Sequence, residues 1–490
     1  MVAERDLVNL MTDPRLSSDR TIYGNVVFFR DVVFQQEAFI NGTVNGIDLK
    51  TVTQDQQTCY NTVQYQTKEL QDKVLQQCQD ISSLQYKAKD AMEAIHHFVL
   101  AQSFPLTAAR SFHSFHMEGE TWLAAANLRD DSSFCTSSPL YTWDVGTSQF
   151  IPADIKITNG ARAWHYFNIT EGHHTRHFLV IANQALQSCP ESLPADVSQL
   201  FEYNAEIKSF TLYQSLPTHG AKDFVSFRLG TDTYLAVANS EDVEGEGTST
   251  IFRFNQEDRQ FQPHWNIPTA EAVSVDAFEY NGTQFLVYAN SKLFCELQTQ
   301  VFVSNDEESQ FQALQIIPSS SASDVTHFFL GGLPHLVVAD MYEVGLAGIN
   351  NYKMHIKVYR WSQYRLEFVW TQTMHFEAAS DVAVFQRKND VYLAAVSLNT
   401  AVTVYRHQGV SGFLPVVTIP AHGARGVQPL SIGSQLFLAV AQDPLDTRAK
   451  GQDSTLFKAV MTGATVESVG SMQCDTSWVN GIVGQLPDQD

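Results

Sequence analysis

The chain has little positive charge and no long apolar run. Its 490 residues carry 31 Lys and Arg against 53 Asp and Glu, a formal net charge of −22. That balance argues against electrostatic binding to nucleic acid or anionic membrane, which needs clustered cations. No apolar stretch approaches the ~20 residues that span a bilayer, so no transmembrane segment is expected. The opening residues MVAERDLVNLMTDPR hold no apolar signal core, and the expected true start lies upstream. Cysteine is scarce, at six residues; an even number permits disulfides without demanding them. No D-x-D-x-D-G calcium loop and no catalytic or cofactor-binding constellation occurs, so neither a cofactor nor enzyme chemistry is expected.

What the chain does have is a repeat. LAAAN at Leu123–Asn127 recurs as LVIAN at Leu179–Asn183, LAVAN at Leu235–Asn239 and LVYAN at Leu286–Asn290. It continues as LVVAD at Leu336–Asp340, LAAVS at Leu393–Ser397 and LAVAQ at Leu438–Gln442. The spacings are 56, 56, 51, 50, 57 and 45 residues. A period of that length in a strand-rich chain signals stacked four-stranded units.

Each unit reads as four strands. An aromatic residue precedes most copies of the motif: Trp122, Phe178, Tyr234, Phe285, Tyr392 and Phe437, with His335 in the fifth copy. A third strand repeats an apolar–aromatic pair, as in Leu200-Phe201, Ile251-Phe252 and Val404-Tyr405. A fourth opens on Phe150, Phe210, Phe261, Phe311, Phe368 or Phe413. Short β-branched and aromatic runs bounded by Gly, Pro and Asn are strands.

The ends are out of phase. Phe98-Val-Leu-Ala-Gln-Ser-Phe-Pro matches the fourth strand Phe210-Thr-Leu-Tyr-Gln-Ser-Leu-Pro, yet it precedes the first complete unit. The last unit has no Phe-led fourth strand after Phe457. The N-terminal strand therefore supplies the missing piece and shuts a ring, which leaves no open sheet edge. An open solenoid would instead need atypical caps. The expected fold is all-β, a seven-bladed β-propeller.

Tyr-Leu-Ala-Val-Ala-Asn, a following Phe-Arg-Phe strand and Gln-Ser-Leu-Pro-Thr-His-Gly-Ala-Lys-Asp-Phe together resemble the EAR (epitempin-associated, EPTP) repeat family. The resemblance covers about three-quarters of the chain in seven copies. It implies an extracellular, non-enzymatic propeller that acts in ligand binding, adhesion or signalling. Neither leucine-rich repeats nor a laminin G pattern is seen outside the ring, so no specific partner carries over.

The segments before the ring differ. Residues 1–50 hold short Val/Phe-rich runs and then NGTVNGID, whose Asn-Gly pairs signal turns in a small strand-and-turn ladder. Residues 51–97 are expected to form a helical stalk. Within 57–97, Tyr60, Thr67, Val74, Ile81, Ala88 and Ile95 fall at a, and Val63, Leu70, Gln77, Leu84 and Ala91 at d. That periodicity fits a coiled coil and a homo-oligomer, or one amphipathic helix lying on its neighbour. Cys59 and Cys78 sit beside the seam, about 28 Å apart on one helix, too far to pair within it. The propeller is expected over 98–464 and a tail over 465–490.

In such a blade the second-to-third and fourth-to-first connections share one face, and the hairpins share the other. Variable loops mark the first face, namely Leu128–Pro139, Gln184–Ser198, Glu241–Glu246, Met341–Lys353 and Asp443–Asp453. The glycosylation candidates are Asn41, Asn168 and Asn281, each in an N-x-S/T sequon. Asn168 and Asn281 fall in first-to-second hairpins, so sugar there would leave the loop face for a protein partner. Cys135 and Cys189 occupy equivalent loops of the first two blades and are the expected disulfide, worth about 4 kcal/mol for a loop of ~50 residues. Cys295 and Cys474 are the remaining pair, joining the tail to blade four.

Aligned entries to the first strands place Ser111, Ala163, Asp223, Ser274, Asp324, Asp381 and Gly426 at one position. Asp223, Asp324 and Asp381 could hold a cation or a basic ligand at a channel mouth, or each could cap its own turn through backbone N–H groups. His173, His174 and His177 share one hairpin as a polar loop rather than a zinc site, and His113 and His116 point to opposite faces of a strand. The reading that follows is a secreted, extracellular protein-binding scaffold. A matrix component assembling through the stalk is the alternative, and a propeller hydrolase the third.

Overall fold

The computed structural model describes residues 93–463 apart from 131, 186–188, 190–195, 241–246, 293–297, 306–309, 345–349 and 444–452, together with 43–44, 47–48, 68–69, 72–73 and 76. The chain divides into two units, Met1–Leu75 and Gln76–Asp490.

In the first unit, Thr43–Val44 pairs antiparallel with Ile47–Asp48, the two strands flanking Asn45-Gly46 in sequence. Among the described residues there is no continuous α-helix. Lys68, Glu69, Asp72 and Lys73 are helical positions, with Lys73 Nζ 3.1 Å from Glu69 Oε1. Apart from Gln76, also a helical position, the rest of the expected stalk up to residue 92, with Cys59 and Cys78, lies outside the described residues. Its last heptad positions need correcting. Residues 93–97 belong to the strand Glu93–Phe104, and Ile95 is buried in the propeller core rather than on a seam. Pairing with Ser454–Gly463 begins at Glu93, so backbone ladder bonds hold these residues extended.

The second unit is an all-β seven-bladed propeller. Blade 1 runs Ala109–Met117, Glu120–Asn127, Cys135–Asp144 and Gln149–Asn159. Blades 2 to 6 begin at Ala161, Ala221, Ala272, Ala322 and Ala379 and repeat the order first to fourth, inner to outer. Blade 7 takes Ala424–Ile432, Gln435–Gln442 and Ser454–Gly463 from the C-terminal side and Glu93–Phe104 from the N-terminal side. The register sets Phe98 opposite Ala459 and Leu100 opposite Phe457. The phase-shifted strand closes the ring.

The core lies between blades, one apolar cluster to each interface. The cluster joining blades 7 and 1 contains Phe104, Phe112, Leu123, Leu430 and Phe437, so the N-terminal strand is part of the seal. The repeated motif explains itself here. Leu123, Ala124, Ala125 and Ala126 are all fully buried, because a second strand has a blade on each face. Near the axis the wedge between blades is thin, which suits Ala and Val; farther out Phe150, Phe210 and Phe413 fill it.

The motif's terminal Asn stitches the blade at the loop face. Asn239 accepts the His219 N–H at 3.1 Å and donates to the Thr248 carbonyl at 3.2 Å, while its own N–H reaches Ser249 Oγ at 3.1 Å. Asn183 repeats the pattern with Asn159 and Val197. Gly160 turns the chain from blade 1 into blade 2 at φ +69°, where a Cβ would meet the Ala185 nitrogen at 2.8 Å; only glycine fits both demands.

Candidate functional site in the channel

The first strand of every blade is a sheet edge, since no strand lies inside it. Its inward N–H groups need acceptors, because a buried backbone donor left unpaired is costly. The sequence answers with side chains from the preceding blade, in two tiers.

The upper tier, near the loop face, uses the aligned aspartates. Asp223 Oδ2 accepts the Val275 N–H at 3.1 Å, Asp324 Oδ2 that of Val382 at 3.0 Å, and Asp381 Oδ2 that of Val427 at 2.6 Å. The other carboxylate oxygen of Asp223 and of Asp324 caps its own strand, accepting from Phe224 and Val325 at 2.9 Å each. The lower tier lies two residues deeper. His113 Nε2 accepts from Tyr166 at 3.1 Å, His165 Nε2 from Ser226 at 3.0 Å, and Asp276 Oδ2 from His327 at 2.6 Å. Asp276 also meets His327 Nδ1 at 2.7 Å. These groups are latches from blade to blade.

Burial shapes their charge. It pushes the Asp223 carboxyl up to about 7 against two N–H bonds that lower it. Asp324 is raised by burial and by the adjacent Asp381. Burial raises Asp381 as well. Burial lowers His113 to about 4 and His165 to about 3, keeping both neutral as acceptors. Among the described residues no group of three or more His, Cys, Asp or Glu is arranged to hold a metal ion. The three carboxylates sit around one channel, with their lone pairs on backbone donors.

A second set of latches runs around the outer rim. Gln102 Nε2 donates to the Phe150 carbonyl and its Oε1 accepts the Phe150 N–H, both at 2.8 Å. Gln214 clamps Phe261 in the same way, Gln315 clamps Phe368 and Gln372 clamps Phe413. Each clamped Phe is the residue that opens the next blade's fourth strand. The bulge at the apolar–aromatic pair aims the glutamine: the ladder skips Tyr213 between Gln214 and Leu212, opposite Leu200-Phe201. Sequence reasoning missed these glutamines, although the signal was there: Gln four residues after the strand-opening position at Phe98, Phe210, Phe311 and Phe368.

On the hairpin face, Asn168 is exposed at the end of a strand rather than in a turn, beside a cavity of about 470 Å³ lined by Tyr166, Ser226, Phe227, Arg228 and Thr233. Asn281 is exposed in the turn of blade 4 with φ 50°. Asn41, Cys295 and Cys474 lie outside the described residues, as do 241–246, 345–349 and most of 184–198 and 443–453. Cys135 and Cys189 form a disulfide with Cα atoms 5.6 Å apart, tying blade 1 to the loop of blade 2. His177 Nδ1 bonds the Tyr166 hydroxyl at 2.6 Å, while His173 and His174 are exposed.

The EPTP domain model matches residues 209–255, 260–297 and 412–458, each stretch opening on the fourth strand of one blade and running through the first and second strands of the next. The chain belongs to the EPTP (EAR) repeat family. It is 30% identical over 376 residues to the mouse (Mus musculus) thrombospondin-type laminin G domain and EAR repeat-containing protein, covering 71% of this chain and 53% of that protein. The human (Homo sapiens) protein of the same description is 30% identical over 323 residues, 63% of this chain and 46% of its own length. The chain thus spans about half the length of the curated relatives it matches. A chain from the crystal structure of BBS1N in complex with ARL6DN aligns over 75% of this chain and 98% of its own, with a TM-score of 0.46 at 11% identity. The EPTP repeats here are the seven blades, and their recurrent polar residues are the stitches and latches just described.

Proposed function

We propose that this EPTP propeller is an extracellular, non-enzymatic scaffold that presents its loop face to a protein partner. The observation that carries the reading is the fate of the channel's polar groups. The aspartates and histidines that could have served as acid, base or metal ligand are engaged with backbone N–H groups of the next blade. A closed, internally latched ring is a rigid frame, and connections on rigid frames are where binding resides. The Cys135–Cys189 disulfide fits an oxidising compartment, and the relatives' thrombospondin-type laminin G domains fit an extracellular setting. No helix among the described residues is long and apolar enough to cross a membrane.

The test is a binding screen of the whole chain against extracellular and cell-surface proteins, followed by exchange of the 184–198 and 341–353 loops. Binding lost on exchange, with the melting temperature kept, supports the loop face. Binding that survives both exchanges, or turnover of a substrate in the channel, counts against it. Homo-oligomerisation through the segment before Glu93 would add avidity, and sedimentation of the full chain reads it directly.

A further inference from the structure

The outer latch is not kept in every blade. Four residues after the strand-opening phenylalanine, blades 2, 4, 5 and 7 carry Gln214, Gln315, Gln372 and Gln102. Blade 1 has Asp154 there, whose Oδ2 accepts the Phe210 N–H at 2.9 Å. Blade 6 has Val417, which joins the apolar cluster between blades 6 and 7. Blade 3 has Trp265, set opposite Ile251 beside the same bulge that aims the glutamines. An indole has one donor and no acceptor, so it cannot clamp both the N–H and the carbonyl of Phe311. It packs instead at 82° to the Phe311 ring, with centroids 5.6 Å apart. A ring, not a latch, stands at the outer seam between blades 3 and 4.

Beside that ring a cavity of about 360 Å³ opens on the hairpin face, lined by Arg228, Asp232, Tyr234, Trp265, Glu279 and Gln310. Its apolar wall ends a column of parallel rings. Phe227 stacks on Tyr234 at 5.3 Å and 8°, and Tyr234 on Trp265 at 5.2 Å and 6°. Trp265 is half-buried, and its indole N–H has no acceptor among the described residues. The polar wall carries both signs of charge. Arg228 and Glu279 hold the same place in successive first strands, opposite Thr233 and Gln284. Both are exposed, and neither makes an ion pair or hydrogen bond among the described residues. A guanidinium only donates and a carboxylate only accepts. One small ligand that serves both, and an aromatic ring besides, needs neighbouring donors and acceptors together with an apolar face. A pyranose has that build: its hydroxyls donate and accept, and its C–H face suits a tryptophan. The sequon Asn281-Gly-Thr adds a second pointer, since Gly282 lines the cavity and Asn281 is exposed beside it.

We propose that the groove between blades 3 and 4 is a carbohydrate site, which takes an N-acetylglucosamine ring against Trp265 with Arg228 and Glu279 on its polar groups. The volume lies at the small end for ligand pockets, which suits one or two sugar rings. The sugar has two possible sources with the same chemistry: an N-glycan on Asn281 folded back on its own blade, or a glycan of another molecule. The site goes beyond the loop-face reading and stands without it, because it lies on the opposite face.

The experiment titrates the full chain with N,N′-diacetylchitobiose, read by ligand-observed NMR. The chain is made in a secreting, glycosylating host with Thr283→Ala, which removes the sequon and keeps Asn281 in its turn. Saturable binding is expected, weakened about threefold to tenfold by adding Trp265→Leu, as for a lost aromatic contact. Glu279→Gln should weaken it by a similar factor, as for a lost charged hydrogen bond. If Trp265→Leu does not fold, Glu279→Gln, an exposed position, decides alone. The parent chain from the same host separates the sources. Loss of free chitobiose binding there, with a glycan found on Asn281 by mass spectrometry, assigns the groove to the chain's own sugar. Undiminished binding assigns it to a sugar from another molecule. No saturable binding by the Thr283→Ala chain, or equal affinity in the groove variants, overturns the proposal.

Discussion

Replacing Gln102 with leucine tests whether the outer latches hold the ring closed. The side chain keeps its approximate volume but loses both bonds to Phe150, each 2.8 Å long. Two net hydrogen bonds are worth about 1–3 kcal/mol together. Stranding the Phe150 N–H and C=O beside a side chain that is itself 2% exposed raises that, since each orphaned group costs about 1–3 kcal/mol. Water can reach the rim from outside, so a loss of about 2–4 kcal/mol is expected. For a ring of roughly 370 residues the unfolding entropy makes each kcal/mol worth only about 1–2 °C; denaturant unfolding is therefore the better assay. The comparison is Gln312→Leu, an exposed glutamine on the outer strand of blade 4 with no latch, expected to change stability by less than about 0.5 kcal/mol. Hydrogen exchange should also quicken in Glu93–Phe104, the strand that carries Gln102. Equal stability of the two variants would refute the latch argument.

Two further outcomes follow from the channel. His113 and His165 are neutral acceptors held at about 4 and 3, against about 6.5 unfolded. The unfolded chain binds more protons between those values, so their contribution is full above pH 6.5 and is lost as pH falls toward 4 and then 3. Channel water screens part of it, leaving on the order of 1–3 kcal/mol each. Asp223, raised to about 7, acts oppositely and weakens the fold as pH rises toward 7. His165→Gln should therefore flatten the acid limb of a melting-temperature profile without moving the neutral limb; an unchanged acid limb would show that the histidines are not the titrating groups. Gly426→Ala places a Cβ 2.6 Å from the Arg110 carbonyl oxygen, at the junction where the ring closes. Overpacking of that kind costs about 1–3 kcal/mol, and an unchanged denaturation midpoint would mean the junction is looser than its geometry.

The sequence by itself determined the ring. A second strand buried on both faces must be small and apolar throughout, so LAVAN and its variants are legible at each of their seven positions. The out-of-phase Phe98 strand is equally legible, because an unmatched strand at each end has one economical solution. Local chemistry carried the disulfide too, since equivalent loops of adjacent blades hold Cys135 and Cys189. Where the strand starts was not legible: Ile95 suits a heptad position as well as a strand, and the partner that decides, Met461, is more than three hundred residues away.

Only the tertiary structure decided what the polar residues do. Asp223, Asp324 and Asp381 read equally as ligands or turn caps, because a sequence does not show which backbone donors a closed ring leaves unpaired. The ring leaves them on the first strand of the next blade, and the carboxylates cross to reach them. Gln102 and its three counterparts became clamps for the same reason, on the outer edge. Periodicity fixes which strands exist; the meeting of edges around an axis fixes which side chains are used and which are left over.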